Sequence, residues 1–244
     1  MSSNSDQSIP NVMTGKPAKK KGKGSNFFFT IILIAALAFG GYYLYTNYFQ
    51  GGGHSIAIEN NKFTTRSSCK DILDKGLVLC DVNGKVRNVS TLEVGAKEIY
   101  DSFFIGVPDS TGTHAKCSGV EVTFGNFSNS KSKVADCGVY RISYSPKFHD
   151  DGVSVLIDDT DMRTATLDQW VDFLKEKKYK LSNSELDSLR NGSSTYETFK
   201  QANVKYTISL EKQSKNDGND NIVYETGFGS FKMERDVTVT YKSK

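Results

Sequence analysis

From Lys23 to Glu59 the chain carries no formally charged residue between those two ends, and Phe27 to Phe49 reads FFFTIILIAALAFGGYYLYTNYF. An α-helix rises about 1.5 Å per residue, so about 20 apolar residues cross a hydrocarbon core. The pattern predicts a transmembrane helix over residues 25–49. Gly40 and Gly41 fit such a helix, where glycine is common. Tyr42, Tyr43, Tyr45 and Tyr48 gather at its C-terminal end, where amphipathic rings suit a membrane interface.

Beyond residue 55 the hydrophobic pattern breaks into short periodic segments. Leu77 to Val89 reads as a hairpin, with Asn83-Gly84 as a type I′ turn. Ser90 to Glu93 resembles a capping box, and Leu92, Ala96, Ile99 and Phe103 follow at helical spacing, which predicts a helix ending before Pro108. Val120–Phe124, Gly138–Tyr144 and Val153–Ile157 alternate as strands, with a turn at Asp150-Asp151-Gly152, and together predict an antiparallel meander. The strongest helical signal is the box Thr166–Gln169 with Leu167, Trp170, Val171 and Leu174 on one face. A second box, Ser182–Glu185, opens a short helix that places Leu186 and Leu189 inward and stops at Asn191-Gly192. Strands are predicted again at Val204–Leu210, Ile222–Glu225 and Val237–Tyr241, with Asn216–Asp220 as a hairpin loop. Strands and helices come in runs without βαβ alternation. The fold class expected is α+β: one N-terminal transmembrane helix, then a domain with a mainly antiparallel sheet and a few short helices.

Charge sets the expected topology. The net charge is +3, and Lys16, Lys19, Lys20, Lys21 and Lys23 stand against the single acid Asp6 before the apolar run. The rest of the chain is close to neutral. The positive-inside rule puts the tail in the cytoplasm and the remainder outside, periplasmic or extracellular. The expected division is a disordered basic tail over 1–24, the helix over 25–49, a Gly-rich linker over 50–55 and an exported domain over 56–244. Two cleaved alternatives fit less well. A signal-peptide cut at Ala36-Leu37-Ala38 would leave an apolar new terminus. A pilin-type leader cut after Gly24 would put Phe29 where a glutamate is expected, and Gly51-Gly52-Gly53 would stop the long helix of that class. A nucleic-acid binder would carry its excess charge on the folded part, so that class is excluded.

All four cysteines, Cys69, Cys80, Cys117 and Cys137, follow the apolar run. Outside the cytoplasm an even number reads as two structural disulfides, with three possible connectivities. Short loops close most easily, which favours Cys69–Cys80 and Cys117–Cys137. There is no Cys-x-x-Cys for redox catalysis, and the spacings do not match a zinc site.

Catalytic chemistry leaves little trace. The three histidines are His54, in the linker, and His114 and His149, in expected loops; no metalloprotease or nucleophile-elbow motif accompanies them. Asp158, Asp159 and Asp161 form an acidic cluster with the oxygen chemistry of a calcium site, as does Asp217–Asp220, but neither has EF-hand spacing, so a solvated turn is the favoured reading of both and no metal is expected. The sequons at Asn88, Asn126 and Asn191 are about as many as this composition produces by chance. Trp170 reads as core, and Phe103-Phe104 as packing or an exposed contact. The expected function is a non-catalytic, membrane-anchored interaction component of a cell-envelope assembly, of secretion, pilus or conjugation type. It needs no cofactor. Its partners are the lipid bilayer and envelope proteins, including a second copy of itself. An exported binding module, such as an adhesin, receptor or viral surface protein, is the alternative, and an anchored enzyme the third reading.

Overall fold

The structure is a computed structural model, and it describes residues 31–37, 41, 53–216 and 222–237. The basic tail and most of the apolar segment lie outside the described residues. Residues 31–37 are helical, with Ile32, Leu33, Ile34 and Leu37 exposed. Among the described residues no helix is long and apolar enough to cross a membrane.

In the larger unit the elements run β1 (Ile56–Ile58), β2 (Asn61–Phe63), α1 (Cys69–Leu73), β3 (Val78–Cys80), β4 (Glu93–Val94), β5 (Ile99–Pro108) and β6 (Ala115–Gly125). They continue with β7 (Ser132–Lys133), a 3-10 turn (Val134–Asp136), β8 (Gly138–His149), β9 (Val155–Ile157), α2 (Leu167–Glu176), α3 (Asn183–Arg190), β10 (Tyr196–Gln201), β11 (Val204–Asn216) and β12 (Ile222–Arg235). The described strands form a seven-stranded sheet in the order β10-β11-β12-β8-β6-β5-β3, a three-stranded sheet β2-β1-β9 and the pair β4-β7, antiparallel throughout. The α+β class with a mainly antiparallel sheet is therefore observed.

Alternation along the strands separates the two faces of the large sheet. Ile105, Val120, Tyr144, Phe231 and Ile208 follow one another across five strands and are buried. The adjacent rung, Phe104, Glu121, Ser143, Lys232, Thr207 and Thr198, points the other way and is half-buried or exposed. Helix α2 belongs to the buried side. Its capping box forms as predicted: Thr166 Oγ1 accepts from the Gln169 amide, and Gln169 Oε1 accepts from the Thr166 amide at 2.9 Å. Trp170, Val171 and Leu174 are buried, and Trp170 meets Phe228 edge-on at 4.9 Å. The α3 box, Ser182 with Glu185, forms as well, and Asn191 caps the far end before Gly192 at φ 74°.

Several local expectations are corrected. The helix through Leu92, Ala96, Ile99 and Phe103 is not there. Ser90 instead hydrogen-bonds Asn88, Gly95–Glu98 is a turn, and Ile99–Pro108 is a central strand of the sheet. Helical spacing was coincidental: Ala96 is exposed, while Phe103 and Ile105 alternate inward between β3 and β6. The turn at Asn83-Gly84 exists, with Gly84 accepted at Asp81 O, but only Gly84 has positive φ, so it is not type I′. The type I′ geometry occurs at Glu59-Asn60 and Asp158-Asp159, where both residues have positive φ. The meander also ends early, because β9 leaves the large sheet to pair with β1. Val237 is not in a strand, and residues 238–241 and the loop Asp217–Asp220 lie outside the described residues. Strands β1, β2 and β10 and the capped helix α1 carried no signal that was read in the sequence.

Candidate functional site

The backbone of the Asp158-Asp159 turn places one carboxylate inside the protein. Ile157 and Thr160 exchange two hydrogen bonds of 2.9 Å across the turn, with φ of 45° and 68° at the two aspartates. The Asp158 carboxylate then accepts three hydrogen bonds: from His54 Nδ1 at 2.6 Å, the Tyr179 hydroxyl at 2.6 Å and the Ser55 amide at 2.7 Å. His54 is 5% exposed, stacked on Tyr179 with ring centroids 3.8 Å apart, and edge-on to Tyr206 at 5.3 Å. An ionised carboxylate only accepts, so Nδ1 carries the proton. Its Nε2 is buried without a hydrogen-bond partner.

The electrostatics follow from this arrangement. Burial pushes the Asp158 carboxyl up, but the hydrogen bond and charge of His54, with the Tyr179 hydroxyl and Ser55 amide, outweigh it and hold the group below the ordinary carboxylate value. Burial, then the Asp158 charge, raises the Tyr179 phenol well above its ordinary value. The three residues come from the start of the domain, the β9 turn and the segment after α2. The sequence places His54 in a linker, does not mark Tyr179, and offers Asp158 as a solvated turn residue with calcium as the lesser reading; the structure buries all three together. Of the expected linker over 50–55, Gly53 is exposed, but His54 and Ser55 are buried parts of the fold.

A cavity of about 420 Å³ lies beside this group, lined by His54, Asp158, Asp159, Lys62, Lys177 and Lys178. Lys62 is bound to Asp159 at 2.7 Å. A general base needs its proton partner within about 3.2 Å or one water. His54 Nε2 is turned into the packed interior instead, and the arrangement acts as a buried clamp joining three segments.

The acidic candidates do not converge. Asp158 faces His54, Asp159 pairs with Lys62, and Asp161 pairs with Arg163 at 2.7 Å. Among the described residues no group of three or more histidine, cysteine, aspartate or glutamate side chains is placed to hold a metal. His114 is exposed on the strand edge opposite Lys85. His149 lies between the Tyr144 hydroxyl at 3.3 Å and Arg163 at 3.1 Å. Asn126 is buried, and its side chain bonds Val94, Gly95, Ser128 and Ser130, which closes that sequon to a glycan in the folded state.

The cysteines are brought together in a different combination from the one favoured on loop length. All four are buried free thiols. Cys69 neighbours Cys137, whose carbonyl accepts its amide at 2.9 Å, while the Cys80 thiol donates to the Phe104 carbonyl oxygen at 3.5 Å, with Cys117 on the other side of the same strand. Cys69 and Cys80 instead belong to separate elements, α1 and β3, each facing its own distant partner. Burial pushes the Cys69 thiol up to about 12 and the Cys137 thiol to about 11.

Comparison with protein-family models, with curated proteins and with solved structures gave no match.

Proposed function

We propose that this protein is a membrane-anchored, non-catalytic interaction component of a cell-envelope assembly, with a cytoplasmic N-terminus and the α+β domain on the periplasmic or extracellular side. The observation that carries the reading is the charge-free stretch between Lys23 and Glu59, preceded by five lysines. Its length matches a bilayer span, and the lysines orient it. The clamp around His54 adds support. It fixes the start of the domain as a folded element, which suits a chain that transmits position from an anchor to a rigid domain. Assembly into a secretion, pilus or conjugation-type machine is the finer part of the proposal, and it rests on architecture.

A second reading, an exported binding module, is favoured by one feature. Phe104 and Phe148, with ring centroids 5.4 Å apart, line a surface pocket of about 250 Å³ on the solvent-facing side of the large sheet. Phe148 is 41% exposed.

Crosslinking in intact cells, followed by detergent extraction and mass spectrometry, separates the two. Stable co-purifying envelope proteins are expected for the assembly reading. Recovery of the chain alone or only as a homo-oligomer moves the assignment to the binding module. Protease added to intact cells or spheroplasts should digest the domain and spare the tail; a protected domain would overturn the topology.

A further inference from the structure

We infer that the domain closes two disulfides that tie distant elements, Cys80 to Cys117 and Cys69 to Cys137, formed while the chain folds and sealed inside it afterwards. In the cell this rests on the exported location proposed above, which supplies the oxidant.

The first pair flanks a strand. Cys80 of β3 is in register with Phe104 of β5, and Cys117 of β6 is in register with Gly106 of β5. Regular strands two apart in a sheet lie about 9–10 Å from each other, beyond the span of a disulfide, but here the backbones of β3 and β6 approach to within 8 Å. Here the middle position is Gly106, beside a register shift between Ile105 and Gly106. A Cβ built on Gly106 would stand 3.2 Å from Cys80 Sγ and 2.7 Å from Ala115 Cβ. The glycine leaves that space open beside Cys80 Sγ, and the Cys80 and Cys117 thiols are close enough for each to shift the other's ionisation. Both are buried, at 0% and 3% exposure.

The second pair is set by strand-like pairing at the start of α1. Ser68 bridges Gly138 in the antiparallel sense, so the next step along the register puts Cys69 opposite Cys137. The Val139 amide to Ser67 O and the Cys69 amide to Cys137 O bonds, 2.8 and 2.9 Å, fix that register from both sides. Opposed residues of an antiparallel pair have Cα atoms about 4.5–5.5 Å apart, within the span a disulfide bridges. Both thiols are buried.

The chemistry is thiol–disulfide exchange with a small-molecule or protein disulfide. One cysteine thiolate attacks the donor disulfide, giving a mixed disulfide and releasing a thiol. The second cysteine then displaces the remaining donor half. For each bridge, two protein thiols are oxidised and one donor disulfide is reduced to two thiols, which take up the two protons. In the closed fold the four sulfurs are shut away from such a donor, so exchange belongs to the folding chain, and the finished bridges are shielded from reductants.

The test is disulfide mapping of the full chain, unfolded and reduced in detergent, then refolded in a buffer of reduced and oxidised glutathione. After alkylation and proteolysis, the expected products are one crosslinked peptide joining Cys69 to Cys137 and one joining Cys80 to Cys117. Peptides joining Cys69 to Cys80 or Cys117 to Cys137, or four alkylated cysteines, would overturn the inference. A Cys80→Ser chain treated identically should release Cys117 for alkylation and keep the Cys69–Cys137 peptide. Loss of that second crosslink to scrambled pairs would also count against it. Mapping protein alkylated at the moment of cell lysis addresses location separately. Free thiols there, with the assigned pairs in the refolded chain, would sink the exported reading and leave the pairing standing.

Discussion

Asp158 Oδ2 stands 2.6 Å from His54 Nδ1, although the two residues are 104 positions apart in the chain. The contact makes the first residues of the domain depend on a turn near its middle. The Tyr179 hydroxyl shares the same oxygen. Replacing Asp158 with alanine leaves three buried donors without an acceptor, and each unsatisfied buried group costs about 1–3 kcal/mol. Asp158→Ala should therefore lower unfolding free energy by at least about 3 kcal/mol in urea titrations. A double-mutant cycle with His54→Phe, which keeps a ring against Tyr179, should show coupling on the order of 1 kcal/mol. Additivity of the two changes would mean the contact contributes nothing of its own.

The same group sets an acid dependence. The folded-state pKa of Asp158 lies below its ordinary value of 3.8. Between the two values the unfolded chain binds the proton and the folded chain does not, so stability rises with pH there. This contribution is fully present above 3.8 and is lost as pH falls through the lowered folded value. Urea midpoints of the wild type should fall more steeply with acid below that point than those of Asp158→Asn, and parallel curves would remove Asp158 from the account.

Trp170 is the only tryptophan, is fully buried, and offers its indole N–H to no hydrogen-bond partner. It therefore contributes by packing alone. Trp170→Ala should destabilise the domain by about 3–5 kcal/mol. Trp170→Phe, which also removes the unpaired donor, should cost clearly less. Fluorescence of the wild type should shift to the red in the same urea transition seen by circular dichroism; a separate transition would place α2 outside the cooperative core.

Gly106→Ala tests the space between the thiols. The new methyl meets the Lys116 carbonyl oxygen at 2.9 Å as well as Ala115 and Cys80. Overpacking of this kind costs about 1–3 kcal/mol. The yield of the Cys80–Cys117 crosslink should fall while that of Cys69–Cys137 is unchanged. The two bridges close loops of about 40 and about 70 residues, for which chain entropy gives about 4 kcal/mol each. Reduction before thermal unfolding should lower the transition temperature accordingly.

Ala202 occupies the connection between β10 and β11 at φ 54°, a region where a Cβ is unfavourable by about 1–2 kcal/mol. Ala202→Gly should raise stability by about 1 kcal/mol, read as an increase of about 2–4 °C in Tm. A decrease would show that the backbone there is held without strain.

Some of this protein was legible along the chain because the physics is local. The capping boxes at Thr166 and Ser182 depend on residues three apart, and both form. The alternation at Val120–Phe124 and Gly138–Tyr144 needs only neighbours pointing to opposite faces, and both segments are strands. The charge-free run before Glu59 is likewise a property of the sequence alone. Residues 92–103 were different. They satisfy a helical spacing, yet Ile99–Pro108 also fits a strand, and the choice belongs to β3 and β6, which pair on either side of it.

The site and the neighbours of each cysteine depend on tertiary structure for the same reason. Nothing near His54 in the chain distinguishes a linker histidine from a buried one; Asp158 and Tyr179 make it buried by supplying its partners. Loop length favoured joining each cysteine to its neighbour, because a short loop loses less entropy on closure. Strand register points to another arrangement, with Cys69 opposite Cys137 and with Cys80 and Cys117 flanking the strand that carries Gly106. The sequence by itself determined the two capped helices, the alternating strands at Val120–Phe124 and Gly138–Tyr144, and where the apolar run lies. Which side chains meet was decided by the order and register of the sheet, since those contacts join residues too far apart for any local period to encode.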